Sequence, residues 1–464
     1  MKGQKETKTA GKPQITLEKG LIIYAVLFVC FIGIVVLNHA SIVITLMFSA
    51  VVAIAVAITF GFSYRAIEKV MVDHFAYIAV PILVALFAGF TIGEWMAGGV
   101  IPTALYYGLG IFSPRSFLVT GFLVCVIVSL LFGSAMGTIG SVGVVLLAIG
   151  TALGISAPMA IGAIVSGAYC GEKISPLSLS NNAATASVFG DVLQHSAFSA
   201  RTGVVSFLIA LAAFAVMGSG SGAADTAAIE AYRTGLASAF KINPLLLLPI
   251  VLLIFLMWKK VHPIPALALV GFIGLLFALL VQGYDIKTLL SVAYNGAGKI
   301  DTGIAEVNSL IQRGGFSGVL SVMALYIGAC TFTTVADACG ARTVVVDSLL
   351  KNARKDSQVV LITQASALVH LLGLGDAQAA EYLNGNLFVE AYKSRGLALK
   401  TLTRANCDIC TSLSPLVPWT TGALFVSATL GSGYAPFCIF NLASVVIAVI
   451  LAAVGRDIAK TEKK

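Results

Sequence analysis

The residues best suited to chemistry lie in one stretch, 167–182, which begins inside an apolar run and then turns polar. Pro176 removes a backbone donor and clashes with a helix continuing through it, so we expect a broken helix here. The freed carbonyls, with the side chains of Ser175, Ser178 and Asn182, are oxygen ligands suited to Na⁺. An ordinary loop outside the membrane is the alternative, although apolar runs on both sides leave little room for one.

A second stretch, 404–422, has the same character. Pro415 and Pro418 predict another helix break, and Asp408 lies just ahead of it. A charged group at membrane depth is costly, so it is by default a candidate functional residue that holds a cation or exchanges a proton. The alternative is an interfacial Asp408 that caps a helix and pairs with Arg404.

Four further places carry polar groups at apolar segments. The small-residue run 133–141 favours either close helix packing or ion-lining hydroxyls at Ser134 and Thr138. Asp376 is a sharper candidate, because it carries charge at a helix break. An interfacial location is as compatible with the sequence as a buried one for two other acids, Glu94 and Asp337.

Composition determines what kind of molecule holds these residues. Of 464 residues, 58% are apolar and 11% are charged, where a soluble domain has about 25% charged. The mean hydropathy is +0.97. With 46 Gly and 13 Pro, the chain predicts an all-α polytopic membrane protein with interrupted helices. A soluble enzyme, a secreted disulfide scaffold and a nucleic-acid binder are excluded.

The positive charges predict orientation rather than nucleic-acid binding. Of the net +8, much lies in the two tails, which the positive-inside rule places in the cytoplasm. We therefore expect a multi-pass protein of a bacterial-type cytoplasmic membrane with both termini cytoplasmic. Cys407 and Cys410 form a lone CxxC without zinc spacing around it, and we interpret the thiols as buried and reduced. The five dispersed His, including His195 and His370, are interpreted mostly as packing or interfacial residues.

Counting apolar runs of about 20 residues gives about twelve spans. These spans form two related halves. Residues 85–89 resemble 324–328, and Ser-Pro-Leu at 175–177 recurs at 414–416, both at an offset of 239. The predicted segments are a cytoplasmic tail 1–19, a first transmembrane half 20–217, a flexible connection 218–243, a second transmembrane half 244–455 and a cytoplasmic tail 456–464.

Loop charge indicates how the halves are related. Arg65 and Lys69 have no basic counterparts at the equivalent positions of the second half. Lys351, Arg354 and Lys355 lie in the second half, and the equivalent stretch of the first half contains only Arg115. The halves are therefore charged on opposite sides, which predicts two inverted-topology repeats with broken helices, a common architecture of secondary transporters. We expect 175–177 and 414–416 to face each other near the midplane.

At these residues the chain resembles the NhaC-type sodium/proton antiporter family. The family's signatures run approximately G-D-K-M-S-P-L-S-D-T-T-N and E-D-S-G-T-L-T-S-P-L-I-P-W-N-T-C-G, and 171–182 and 407–422 stand in their places. Residues 89–108 and 375–378 are also similar to the family. The resemblance spans roughly 80–460 and implies a secondary antiporter.

Two carboxylates of the family pattern are missing, because Leu179 and Cys407 stand where the family has acids. The resemblance then implies that Na⁺ and the exchanged proton depend on Glu172, Asp376 and Asp408, of which we favour Asp408 as the coupling acid. If Arg404 lies close to Asp408, the pair becomes structural instead. The complete predicted set of ion or substrate ligands is Glu172, Ser175, Ser178, Asn181, Asn182, Asp376, Asp408, Ser414 and Thr420.

The leading functional hypothesis is Na⁺/H⁺ antiport by alternating access, in which both ions compete for the same carboxylates. The alternative is a Na⁺- or H⁺-coupled exchanger of amino acids or small carboxylates, since neutral Asn181, Asn182, Thr420 and Thr421 suit a polar organic substrate. The expected partners are a small ion or molecule and the lipid bilayer, without nucleic acid or cofactor. A homo-oligomer is left open.

Other classes fit the sequence less well. Inverted repeats with charged residues near broken helices argue against a passive channel. A membrane enzyme would need a nucleophile–base pair or a metal triad, and neither signature contains His. The chain has no GxxxxGK[ST] motif, so ATP-driven pumping is disfavoured.

Overall fold

A computed structural model describes residues 15–38, 42–188, 190–220, 226–259, 261–296, 315–341, 344–345, 348, 353–456 and 458–461. These residues form twenty α-helices. The described part contains no β-strand beyond one isolated bridge between Leu397 and Lys460. The predicted all-α class is confirmed.

The first fourteen helices precede residue 296. They are α1 Leu17–Asn38, α2 Ile42–Thr59, α3 Tyr64–Ala97, α4 Val100–Ile111, α5 Phe117–Phe132, α6 Ala135–Thr138, α7 Val144–Ala152, α8 Ala157–Ile174, α9 Leu179–Ala186, α10 Val192–Ser219, α11 Thr226–Ala239, α12 Leu248–Trp258, α13 Pro263–Phe277 and α14 Ile286–Asn295. A π-helical turn, Ile139–Gly143, joins α6 to α7. The remaining helices are α15 Phe316–Ala338, α16 Asp356–Leu374, α17 Ala377–Ser394, α18 Leu399–Leu413, α19 Thr421–Thr429 and α20 Ile439–Val454.

Helix positions repeat between the halves. α6 and α17 begin 242 residues apart, at 135 and 377, and so do α8 and α18, at 157 and 399. α8 and α18 then end 239 residues apart, at 174 and 413, because α18 is three residues shorter. Ser175 and Ser414 are the C-cap residues of these two helices. The recurring tripeptide therefore marks the same place in each half, directly after a helix.

The equivalent helices α8 and α18 run in opposite directions. Lys173, near the end of α8, contacts Asp408 in the middle of α18. Tyr169, one turn earlier in α8, meets Ser414 after the end of α18, since both hydroxyls lie beside Gly422. Contacts thus ascend along one helix while they descend along the other, which is the relation that the predicted inversion requires.

Each of these two helices also runs alongside the last helix of the other half, in the same direction. On α10 and α18, His195 contacts Thr403 and Thr202 contacts Asp408. On α8 and α20, Gly162 lies against Phe437 just before α20, and Lys173 contacts Ser444. The two pairings are reciprocal, so each half contributes its closing helix to the other.

Glycines bring α8 close to α5. A Cβ at Gly167 would overlap the carbonyl oxygen of Phe122, and one at Gly171 would overlap that of Val126. Glycines four residues apart let helix backbones approach in this way in membrane proteins. The Ser129 hydroxyl donates to Ala168 O at 2.5 Å across the same contact. This packing fixes the end of α8, where the predicted site begins.

The surface is apolar in the manner of a membrane protein. Leu248, Val251 and Phe255 are all exposed along α12, whereas charged side chains such as Lys173 and Asp408 are buried. Among the described residues, four helices satisfy both the length and the hydropathy of a span, or up to six if each bent helix pair is one span. The sequence count of about twelve is higher because it includes runs that the structure divides at breaks or folds into shorter helices, such as α5 and α20.

The chain divides into two compact units that differ from the two sequence halves. One unit comprises 1–77 and 327–353, and the other comprises 78–326 and 354–464. The candidate site lies wholly in the second unit. Much of the predicted flexible connection is helical, since α10 continues to Ser219 and α11 occupies Thr226–Ala239. Residues 221–225 and most of the predicted N-terminal tail lie outside the described residues.

Candidate functional site

The first helix break lies where Pro176 predicted it. α8 ends at Ile174, and Ser175 turns to extended backbone angles with φ −75° and ψ 126°. Ser178 starts α9 as its N-cap, because its side chain accepts a hydrogen bond from Asn181 N at 3.2 Å. Ser175 and Ser178 are both buried.

Asn181 closes this break. Its amide nitrogen lies 3.0 Å from Lys173 O and 2.8 Å from Ser175 O, two of the carbonyls freed at the end of α8. Its amide oxygen pairs with His195 Nε2 at 3.1 Å. In this conformation the freed carbonyls that we expected to bind Na⁺ therefore accept hydrogen bonds from a side chain. Asn182, the next residue, is exposed, and its amide nitrogen donates to Ser178 O at 2.6 Å, one turn back on α9, rather than to the carbonyls at the end of α8.

Lys173 and Asp408 form a buried ion pair between the two halves. Lys173 Nζ lies 2.6 Å from Asp408 Oδ1, and the side chains are 0% and 1% exposed. Lys173 also donates to Ser444, and Thr202 Oγ1 donates to Asp408 Oδ1 at 3.1 Å. The sequence identified Asp408 as a candidate but gave no signal for Lys173 as its partner, because the two residues are 235 positions apart (173 and 408).

Arg404 forms a second, longer ion pair with Asp408. Its Nε lies 3.6 Å from Asp408 Oδ2, one helical turn away on α18. The guanidinium also lies over the ring of Phe198, 4.2 Å from the centroid. The alternative in which Arg404 pairs with Asp408 is thus present, together with the shorter pair to Lys173. Two cations share one carboxylate.

Glu172 links the first helix break to the start of α6. Its Oε2 accepts from the backbone nitrogen of Ala135, the first residue of α6, at 3.0 Å. Its Oε1 accepts from the Ser180 hydroxyl of α9 at 3.0 Å. A carboxylate at a helix N-terminus is stabilised by the free N–H groups there. Glu172 therefore holds α6, α8 and α9 together in this conformation.

Asp376 caps α17. Its Oδ1 accepts from Ala379 N at 2.9 Å, and the Thr421 hydroxyl of α19 donates to its Oδ2 at 3.0 Å. Ser134 occupies the same place in the first half, where it caps α6 and accepts from Gly137 N at 3.1 Å. The charge that made Asp376 a candidate thus also serves a capping role.

Glu381 is a buried acid that the sequence analysis missed. Its side chain is 0% exposed, and its Oε1 accepts from the Thr411 hydroxyl of α18 at 2.6 Å. Its Oε2 accepts no hydrogen bond from a nitrogen or a hydroxyl among the described residues, and the carboxyl interacts with the Cys407 thiol. A signal was available, because Glu381 shares one face of α17 with Asn384, Gly385 and Phe388 at helical spacing, and these are all buried.

The second helix break is closed by the hydroxyl group of Thr420. α18 ends at Leu413, and the Thr420 hydroxyl donates to the carbonyls of Ser414 and, at 2.9 Å, of Val417. Thr420 is also the N-cap of α19, since its Oγ1 accepts from Ala423 N at 3.4 Å. Ser414 and Thr420 are both buried.

The structure separates the three carboxylates to which we assigned Na⁺. Asp408 pairs with Lys173, whereas Glu172 and Asp376 cap different helices. Within the described residues they do not form one ligand set. Glu172 and Asp376 lie close enough to Glu381 to interact with it electrostatically. The site therefore has two parts, the carboxylate of Asp408 with its two cations and a group of acids around the two breaks.

An all-helical membrane protein with two inverted broken helices, and with buried charges between them, has the architecture of a secondary transporter. The profile of the Na⁺/H⁺ antiporter family matches residues 179–456. The chain belongs to this family and is a secondary antiporter.

Relatives of known name agree with this class. The chain is 31% identical over 420 residues to the Na⁺/H⁺ antiporter NhaC of Alkalihalophilus pseudofirmus, covering 89% of this chain and 91% of that protein. It is 30% identical to the malate-2H⁺/Na⁺-lactate antiporter of Bacillus subtilis, with 96% of each chain covered. It is 29% identical to the arginine/ornithine antiporter ArcD of Halobacterium salinarum, covering 78% of this chain and 76% of that protein.

Proposed function

We propose that this protein exchanges Na⁺ for H⁺ across a cytoplasmic membrane, with both termini in the cytoplasm. The observation that carries the proposal is the buried Lys173–Asp408 pair at 2.6 Å, which joins the two halves beside both helix breaks. Alternating access requires an element that links the halves in one state and can be released in another. A pair formed from one residue of each half is such an element.

Competition at Asp408 supplies the exchange. A buried ion pair gains little net free energy, because desolvation of both charges offsets their attraction. Na⁺ can therefore take the place of the Lys173 ammonium at the carboxylate. A proton on Asp408 removes the charge that holds either cation. Binding of one ion excludes the other, which is sufficient for antiport.

The acids around the breaks extend this site. Glu381 Oε2 is a buried carboxylate oxygen that accepts no hydrogen bond from a nitrogen or a hydroxyl of the described residues, and Glu172 is close enough to interact with Glu381 electrostatically. Carboxylate oxygens are hard ligands that suit hard cations such as Na⁺ and also accept protons. We assign Glu381 as a second acid of the same pathway, with Asp408 as the coupling acid.

The proposal favours ions over an organic substrate. The neutral side chains that suited an organic substrate have internal partners: Asn181 bonds to the first break, Thr420 to the second, and Thr421 to Asp376. An organic substrate would have to displace these bonds. The names of two relatives include organic ions, so the flux experiment also tests amino acids and small carboxylates.

The test uses the full chain in liposomes with an imposed pH gradient. We expect uphill Na⁺ flux, with Li⁺ and K⁺ compared under the same gradient, and no stimulation by a panel of amino acids and small carboxylates. Asp408→Asn should abolish the coupled flux, and Asp408→Glu should retain part of it with an altered pH profile. Full coupled flux in folded Asp408→Asn protein would remove Asp408 from the mechanism. Flux that requires an organic partner would contradict Na⁺/H⁺ exchange.

A further inference from the structure

Glu94 is a buried acid outside the site described above. It lies in the last turn of α3 and is 0% exposed. Neither carboxylate oxygen has a hydrogen-bond partner among the described residues. We propose that Glu94 is a further proton-binding site, separate from Asp408 and Glu381, which carries its proton as the neutral acid inside the membrane.

Contacts on both sides hold this turn of α3 against α13. The Thr91 hydroxyl lies 3.0 Å from Leu267 O, and the Trp95 indole donates to Val270 O at 3.0 Å. A Cβ at Gly98 would overlap the carbonyl oxygen of Gly274, so the two backbones are in contact there. Glu94 lies among these anchors on the same turn of α3, where α3 and α13 are in close contact.

Among the described residues, the helices that surround Glu94 offer no cation. Along their whole length, α4 and α13 contain no charged residue. The backbone of α14 reaches Gly93, but its charged residue Lys287 and its N-cap Asp285 are exposed. An ionised carboxylate buried without a partner is far costlier than the neutral acid, and such groups take up a proton instead. The chemistry of the place therefore selects H⁺ rather than a metal ion.

The position of Glu94 gives a bound proton a structural consequence. α3 ends three residues later, and the chain bends by 71° into α4. Glu94 O accepts from Gly98 N at 2.7 Å, and Gly99 sustains the bend with a φ of +77°. Loss of the proton would require water at this turn, and hence an opening of α3 from α13. Glu94 thus links proton release to the geometry of the bend.

The primary experiment reads out the proton without transport. A hydrophobic carbodiimide reacts with protonated carboxyl groups in apolar surroundings, and peptide mass spectrometry locates the adduct. In the purified full chain at mildly acidic pH, we expect the adduct at Glu94 and none at Glu390, whose side chain is 81% exposed. Glu94→Gln should remove the adduct and Glu94→Asp should restore it. Absence of the adduct at Glu94 would overturn the proposal, as would protection by saturating Na⁺, which would indicate a cation site.

The second experiment measures the number of protons moved per Na⁺, and this part rests on the proposed Na⁺/H⁺ exchange. Liposomes that report internal pH and ²²Na⁺ uptake give the ratio directly. We expect Glu94→Gln to keep Na⁺ transport but to lower the ratio, and an unchanged ratio would show that Glu94 holds a proton that is not transported. If the chain moves no Na⁺ at all, the proposed function fails, whereas the carbodiimide result still decides whether Glu94 binds a proton.

Discussion

Lys173 and Asp408 are 2.6 Å apart although they belong to equivalent helices of opposite halves. Lys173 lies in the last turn of α8 and Asp408 within α18, and these are the two helices that precede the breaks. Asp408 also contacts Arg404 on its own helix, whereas Lys173 has no second carboxylate within ion-pair distance among the described residues. Removal of Asp408 therefore leaves two cations without this carboxylate, whereas removal of Lys173 leaves Asp408 with Arg404.

This asymmetry predicts the stabilities of three variants. Asp408→Asn leaves two buried cations without a carboxylate, so it should cost about 3–5 kcal/mol of the free energy of unfolding. Lys173→Met leaves Asp408 with Arg404 and should cost less. Thermal unfolding of the purified variants measures both losses of stability. The double variant Lys173→Met/Asp408→Asn completes a double-mutant cycle.

The double variant should be more stable than Asp408→Asn alone, because it removes one of the uncompensated charges. It also provides a folded protein without the coupling acid for the flux assay. Additive losses in the cycle would show that the two residues do not interact.

Glu381 is predicted to contribute to coupling. Glu381→Gln keeps an acceptor for Thr411 but cannot be ionised, so Na⁺ flux should lose part of its dependence on pH. Glu390→Gln is the matched control, because Glu390 lies on the same helix and its side chain is 81% exposed. An identical pH profile for Glu381→Gln and the unaltered protein would assign Glu381 a packing role.

The two adjacent asparagines should differ in importance. Asn181→Ala leaves carbonyls at the first break unsatisfied inside the protein, at a cost of about 1–3 kcal/mol. Asn182→Ala removes an exposed side chain and should change the free energy of unfolding by less than about 0.5 kcal/mol. Thermal unfolding of both variants in the same detergent compares them, and equal losses would contradict the role of Asn181 in closing the break.

Gly167 is predicted to tolerate no side chain. Gly167→Ala would push α8 from α5, because the new methyl group overlaps Phe122 O, and we expect a loss of about 1–3 kcal/mol. Gly110→Ala in α4 is the control, since no atom lies within 4 Å of a Cβ there. Both are measured by thermal unfolding, and an unchanged Gly167→Ala protein would show that the α5–α8 contact yields without cost.

Much of this architecture could be predicted from local sequence. Pro176, Pro415 and Pro418 mark the breaks because proline acts on its own backbone, and the Ser-Pro-Leu offset marks the repeat. The partners across the halves could not be predicted in this way. Nothing local to Lys173 indicates Asp408. Glu381 lies inside a regular helix rather than at a break, and only its helical spacing with Asn384, Gly385 and Phe388 indicates the buried face.

The reciprocal pairing of α8 with α20 and of α18 with α10 has a consequence for the origin of the chain. A polypeptide with only one half would leave its broken helix without the closing helix that covers it. It could bury that surface by pairing with a second copy inserted in the opposite orientation. The fold is therefore equivalent to an antiparallel dimer whose two subunits are fused into one chain. A half-length ancestral protein would have had to insert into the bilayer in both orientations.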